Sequence, residues 1–143
     1  MVTVDEVMSR DVLTIGPRAS LLDAQALMAG RGVRHLPVVD DQRLVGILSE
    51  TDLLAASASH LQDDTSLAVQ EATVAVEDCM TRKVAVVHPR DSLRRAGLFL
   101  QQNRYGCLPV LENDRLVGIV TEYDFVSIAL QLLERVDLDE EDG

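Results

Sequence analysis

Leu44–Asp52 reads LVGILSETD, and Leu116–Asp124 reads LVGIVTEYD. The same nine-residue pattern therefore occurs twice, 72 positions apart. An apolar run that ends in a hydroxyl residue, with Asp three positions on, reads as a buried strand entering a helix. In the first copy the strand covers Leu44–Leu48. Ser49 or Thr121 then turns the chain and caps the following helix by accepting from its unpaired N–H groups. Asp52 or Asp124 lands in the first helical turn, where a carboxylate suits the helix dipole. A hydroxyl, several amides and a carboxylate at one corner suffice to hold an anion and a pair of hydroxyls together. A plain helix cap is the alternative, and a single copy does not decide between them.

The repeat reaches well beyond these nine residues. Met8–Leu53 aligns with Met80–Phe125 without a gap, pairing Met8 with Met80, Pro17 with Pro89, Ser20 with Ser92 and Ala24 with Ala96. Leu36-Pro37-Val38 recurs as Leu108-Pro109-Val110, and Arg43–Ile47 recurs residue for residue as Arg115–Ile119. The chain is an internal duplication.

Each copy reads as β-α-β-β-α. A short entry turn, Val4–Met8 or Val76–Met80, precedes a strand at Val12–Ile15 or Val84–Val87 that Pro17 or Pro89 closes. Ser20 and Ser92 are N-caps of amphipathic helices, with Leu21, Ala24, Leu27 and Met28 on the apolar face of the first. Gly30 and Gly32, and then Asn103 and Gly106, punctuate the helix exits. Leu36–Val39 and Leu44–Leu48 form a hairpin about the polar turn Asp40–Gln42, as do Leu108–Leu111 and Leu116–Val120 about Glu112–Asp114. The closing helices are Leu53–Leu61 and the longer Tyr123–Val136. This predicts a mixed α/β (α+β) fold: a first domain over 1–62, a connection over 63–73, a second domain over 74–136, and a disordered acidic tail over 137–143. Units of about 60 residues bury too little surface to stand alone, so the two are expected to pack about a pseudo-two-fold axis.

With 47% apolar but only 3% aromatic residues, the core must be built from Val, Leu, Ile and Ala. A net charge of −11 argues against nucleic acid or an anionic membrane as the partner. No apolar run is long enough to span a membrane and the N-terminus carries no signal-peptide pattern, so a cytoplasmic setting is expected. Cys79 and Cys107 have no zinc or C-x-x-C spacing and read as small core residues, not a disulfide. His35 and Cys107 occupy equivalent positions, yet two ligands are too few for a metal site. His60 suits a helix C-terminus, and His88 lies in a turn beside Pro89. Ser49 and Thr121 have no positioned base, which speaks against an enzyme.

Taken together, the V-x-x-V-M entry at Val4–Met8, the h-P-V strands at Leu36–Val38 and Leu108–Val110, and the two G-h-h-[ST]-x-x-D motifs resemble the CBS domain. That module is named after cystathionine β-synthase, and two in tandem form a Bateman module. The resemblance covers about residues 1–136. It implies a regulatory, energy-sensing module that binds an adenosine compound (AMP, ADP, ATP or S-adenosylmethionine) in clefts between the repeats and signals to a partner protein. It assigns ribose hydroxyls to Asp52 and Asp124, and places Ser49 and Thr121 near ribose or phosphate. The adenine edge falls to the backbone of Val84 and Ala85 for the Asp52 cleft, and of Val12 and Leu13 for the Asp124 cleft. Arg34 and His35 are the phosphate-side candidates. In the second copy Gly106 and Cys107 replace them, and Tyr123 replaces Thr51 at the lip of the corner, so the two sites are expected to differ. The resemblance also implies a homodimer joined through the long helices. A dimerising scaffold without ligand is the competing reading.

Overall fold

The computed structural model describes residues 1–59 and 72–142. His60 and most of the connection expected over 63–73 lie outside the described residues. Four α-helices and two two-stranded antiparallel sheets are present among them. Helix α1 (Leu21–Arg31), strands β1 (His35–Asp40) and β2 (Arg43–Ser49) and helix α2 (Glu50–Ser59) come from the first repeat. Helix α3 (Leu93–Asn103), strands β3 (Cys107–Glu112) and β4 (Arg115–Thr121) and helix α4 (Glu122–Asp142) come from the second. Short 3-10 turns at Val4–Glu6 and Val76–Asp78 occupy the two entry positions.

Local chemistry explains these elements. Ser20 Oγ accepts from the Asp23 amide at 3.1 Å while the Asp23 carboxylate accepts from the Ser20 amide at 3.3 Å, a reciprocal cap that starts α1. Ser92 Oγ accepts from the Arg95 amide and starts α3. Helix α1 ends at Gly32, whose φ of 64° is the left-handed conformation glycine adopts most cheaply. At the equivalent point of α3 the left-handed residue is Arg104, with φ 56°, and neither Asn103 nor Gly106 takes that role. Both hairpins turn through two residues of positive φ, Asp41 and Gln42 in one, Asn113 and Asp114 in the other, which matches the right-handed twist of the strands. In the first hairpin Val38 pairs with Gly46 and Val39 with Leu44, so Val45 is the extra residue of a bulge.

Two sequence expectations are corrected here. The strands expected at Val12–Ile15 and Val84–Val87 shrink to single parallel bridges, Ile15 to Val38 and Val87 to Val110. Pro17 and Pro89, with no N–H to donate, follow two residues later and stop any longer ladder. The acidic residues expected to form a disordered tail instead continue α4 to Asp142. Propagating an existing helix adds one hydrogen bond per residue, and Leu and Glu are good helix formers.

The compact units cross the repeat boundary. One unit comprises Val12–Ala85 with Asn113–Leu116, and carries Asp52. The other comprises Met1–Asp11, Val86–Glu112 and Val117–Gly143, and carries Asp124. Each therefore takes its entry turn from the other repeat. In the Asp52 unit, the Val76 and Glu77 amides donate to the carbonyls of Ala19 and Pro17 at 2.8 and 2.9 Å. In the Asp124 unit, the Val4 and Asp5 amides donate to Asp91 and Pro89 at 2.9 and 2.8 Å. Val76 and Met80 are buried in the same core cluster as Ile15, Leu21, Leu36 and Leu48. Met8 and Met28 are likewise buried, so all three of these methionines pack as core.

Candidate functional site

The corner between β2 and α2 is built by a reciprocal cap. The Ser49 amide donates to Asp52 Oδ2 at 2.9 Å, and the Asp52 amide donates to Ser49 Oγ at 3.0 Å. These two bonds fix the carboxylate in the first turn of α2 and leave acceptor capacity on Oδ1. A third group comes from the entry segment: Thr81 Oγ1 lies 3.5 Å from both carboxylate oxygens of Asp52. Thr81 is held there by two backbone bonds to Ile47, at 2.8 and 2.9 Å. The Arg34 carbonyl accepts from the Glu50 amide at 2.9 Å, which ties the start of β1 to the first turn of α2. Arg34 Nε stands 3.8 Å from the Glu50 carboxylate, an exposed pair of little energetic weight that brings a guanidinium to this corner. His35 pairs with Ser49 across the hairpin, so it too stands at the corner. Val84 and Ala85 are half-buried in the same unit, and Thr51 is exposed.

The β4–α4 corner repeats this plan with differences. The Thr121 amide donates to Asp124 Oδ2 at 2.8 Å, and the Thr121 hydroxyl donates to the same oxygen at 3.4 Å. Ser9 takes the place of Thr81, bonded in both directions to Ile119. Gly106 replaces Arg34, its carbonyl accepting from the Glu122 amide at 3.3 Å. Tyr123 projects into solvent, 77% exposed. Cys107 is buried, and burial pushes its thiol up to about 12. Cys79 is raised by burial first, then by the charges of Asp78 and Asp52. Val12 and Leu13 fall in the unit that carries Asp52.

Thr81, beside Asp52, and Ser9, its counterpart on the other entry segment, are not singled out by the sequence reading. Their signal was available: a hydroxyl follows the methionine of both entry motifs, at Met8 and at Met80. A cavity of ≈ 440 Å³ opens between α1 and α2, with Arg34 and Glu50 at its edge and Met28 and Leu53 in its wall. No helix among the described residues is long and apolar enough to cross a membrane.

A family model for the CBS domain matches residues 4–59 and again residues 76–131. The chain belongs to the CBS-domain family. Solved CBS proteins share its fold. AcuB from Vibrio cholerae is 38% identical with a TM-score of 0.82, over 99% of this chain and 97% of its own. CBSX2, solved in complex with AMP, is 33% identical with a TM-score of 0.78, over 92% and 98% of the two chains. The CBS domain pair of protein MJ0100, solved with 5′-methylthioadenosine and S-adenosyl-L-methionine, is 25% identical with a TM-score of 0.76, over 90% and 95%. The chain spans less than half the length of the curated relatives it matches: 45% of the uncharacterized protein MJ1225 of Methanocaldococcus jannaschii, to which it is 37% identical, and 22% of a homoserine O-acetyltransferase of Methanosalsum zhilinae, to which it is 30% identical.

Proposed function

We propose that this CBS pair is a non-catalytic regulatory module that binds an adenosine compound (AMP, ADP, ATP or S-adenosylmethionine) at the Asp52 and Asp124 corners. In this reading it passes ligand state to a partner protein in the cytoplasm. The observation that carries it is the arrangement at Asp52. One carboxylate oxygen is anchored by the Ser49 amide, and the other retains lone pairs beside the Thr81 hydroxyl. An anchored carboxylate accepts from two vicinal ribose hydroxyls with charge-assisted bonds that a neutral group matches poorly. The ring edge then falls to the backbone of Val84 and Ala85, and phosphate to Arg34 with His35. AMP in CBSX2 and the adenosine ligands of MJ0100 support this assignment. Both cysteines are free, which suits a reducing compartment.

A second reading, a dimerising scaffold, is favoured by one observation. Tyr123, Val126, Leu130 and Leu133 form a stripe along α4, each more than half exposed. Apolar area of this kind is ordinarily covered by a partner, and a homodimer through the long helices accommodates it.

A thermal-shift screen of AMP, ADP, ATP, S-adenosylmethionine and NADH separates the two. A ligand at 100 times its dissociation constant stabilises the fold by about 2.7 kcal/mol, several degrees in Tm at this length. A flat response to all five at millimolar concentration would make the scaffold the function.

A further inference from the structure

The two corners differ in charge, and the difference is concentrated at one pair of equivalent positions on the entry segments. Lys83 follows Thr81 by two residues, and Asp11 follows Ser9 by two. Both segments are pinned next to their corners by the paired backbone bonds of Thr81 with Ile47 and of Ser9 with Ile119. Both Lys83 and Asp11 are exposed. At the Asp52 corner, Asp52, Glu50, Arg34, Arg82 and Lys83 sum to a formal charge of +1. The equivalent residues at the other corner, Asp124, Glu122, Gly106, Arg10 and Asp11, sum to −2. Arg82 directs a guanidinium N–H to the Glu77 carbonyl at 3.1 Å, while Lys83 is the exposed ammonium of that segment. Lys83 is also the one lysine in the chain.

We infer that Lys83 and Asp11 set the charge class of ligand that each corner accepts. The Asp52 corner takes the phosphorylated nucleotide, and the Asp124 corner takes an adenosine compound without phosphate. This rests on the nucleotide reading above and extends it to specificity. A nucleoside monophosphate carries close to two negative charges at neutral pH. In a protein of net charge −11 a local cation decides whether such a ligand is held or repelled. An exposed ammonium two residues beyond Thr81, which itself lies against Asp52, supplies that cation on the same segment. A carboxylate in the same place opposes the phosphate while leaving an uncharged thioether unaffected.

The test is calorimetric titration at low salt with AMP and 5′-methylthioadenosine as probes, on the full chain and on Lys83→Asp and Asp11→Lys. Lys83→Asp is expected to weaken AMP roughly fivefold or more, with 5′-methylthioadenosine changed less than twofold. Asp11→Lys is expected to raise AMP stoichiometry or affinity, and Asp124→Asn in that background to abolish the gain. Both effects shrink as salt is added. Equal changes for the two probes, or no change for either, overturn the inference while the nucleotide reading stands. If the parent binds neither probe, this inference fails, while the five-ligand thermal-shift screen still decides the nucleotide reading.

Discussion

A Cβ added to Gly46 would stand 2.6 Å from the sulfur of Met80 and 2.9 Å from the carbonyl oxygen of Thr81. The other unit repeats the relationship: at Gly118 the sulfur of Met8 lies 2.6 Å away and the Ser9 carbonyl 3.0 Å. These glycines are present to admit the entry segment against the strand, and their φ angles are ordinary. The methionine can swing aside, but the carbonyl belongs to the ladder with Ile47 and cannot. Gly46→Ala is therefore expected to destabilise the fold by about 1–3 kcal/mol, as overpacked sites do. It also shifts Thr81 away from Asp52. Urea denaturation reads the first effect, and loss of ligand stabilisation greater than the stability change reads the second.

Asp52→Asn and Asp124→Asn keep the shape of the corner and an acceptor for the Ser49 or Thr121 amide, so Tm is expected to change little. Ribose affinity is expected to fall about tenfold, since a bond to a charged group contributes about 1.5–3 kcal/mol. The larger loss for AMP is expected at Asp52, where Arg34 and Thr81 converge. Titration of both variants that returns the parent affinity would reduce the two carboxylates to helix caps.

Arg104 holds a left-handed conformation that the first repeat gives to Gly32. A side chain in that region costs about 1–2 kcal/mol, and glycine loses part of that gain to its more flexible unfolded chain. Arg104→Gly is expected to stabilise the protein by roughly 0.5–1 kcal/mol, seen as a higher urea midpoint with unchanged slope. Gly32→Arg is expected to move the midpoint the other way.

The Cys107 thiol, held up to about 12 against an ordinary 9.0, makes stability depend on alkaline pH. Below 9.0 the thiol is protonated in both the folded and the unfolded chain, and its contribution is constant. Above 9.0 the unfolded chain loses the proton while the folded one keeps it until about 12. Stability should therefore fall through that window by about 1.4 kcal/mol per pH unit from this group. Denaturation of Cys107→Val between pH 8 and 11 is expected to show a correspondingly flatter decline.

The α4 stripe predicts self-association. Light scattering after gel filtration is expected to give twice the chain mass of 15.7 kDa at micromolar concentration. Leu130→Glu with Leu133→Glu is expected to return the monomer, with ligand-induced stabilisation retained. A monomeric parent would leave the stripe to some other partner.

Much of the fold was legible because the duplication aligns two sequences within one chain. Ser20 and Ser92, Asp52 and Asp124, and the paired hairpins each gain support from their counterpart. The starts of α1 and α3 are legible because a capping serine and an apolar period of 3.6 act locally, whereas α2 begins at Glu50, three residues before the expected Leu53. What escaped depends on distance along the chain. The strand at Val12–Ile15 has β-forming residues, yet pairing depends on which neighbour is in reach, and only Ile15 finds Val38. The length of α4 was hidden for another reason. Five acidic residues near a helix C-terminus oppose the dipole, a local signal that helix propagation outweighs. At the site, Asp52 and Ser49 could be found from their three-residue spacing, whereas Thr81 lies 29 residues from Asp52 and reaches it through tertiary packing.

The exchange of entry turns has a consequence for how such a chain can arise. A single copy, cut from its twin, would keep Ile47 with an open amide and carbonyl, and Gly46 with a notch that the methionine of the other repeat fills in the full chain. It could close that edge by accepting the entry turn of a second molecule, which would accept its own in return. Half-length chains that pair in this way would each complete the other's edge. Joining two of them head to tail turns a concentration-dependent association into an intramolecular one, and frees the two halves to diverge in charge while remaining each other's missing part.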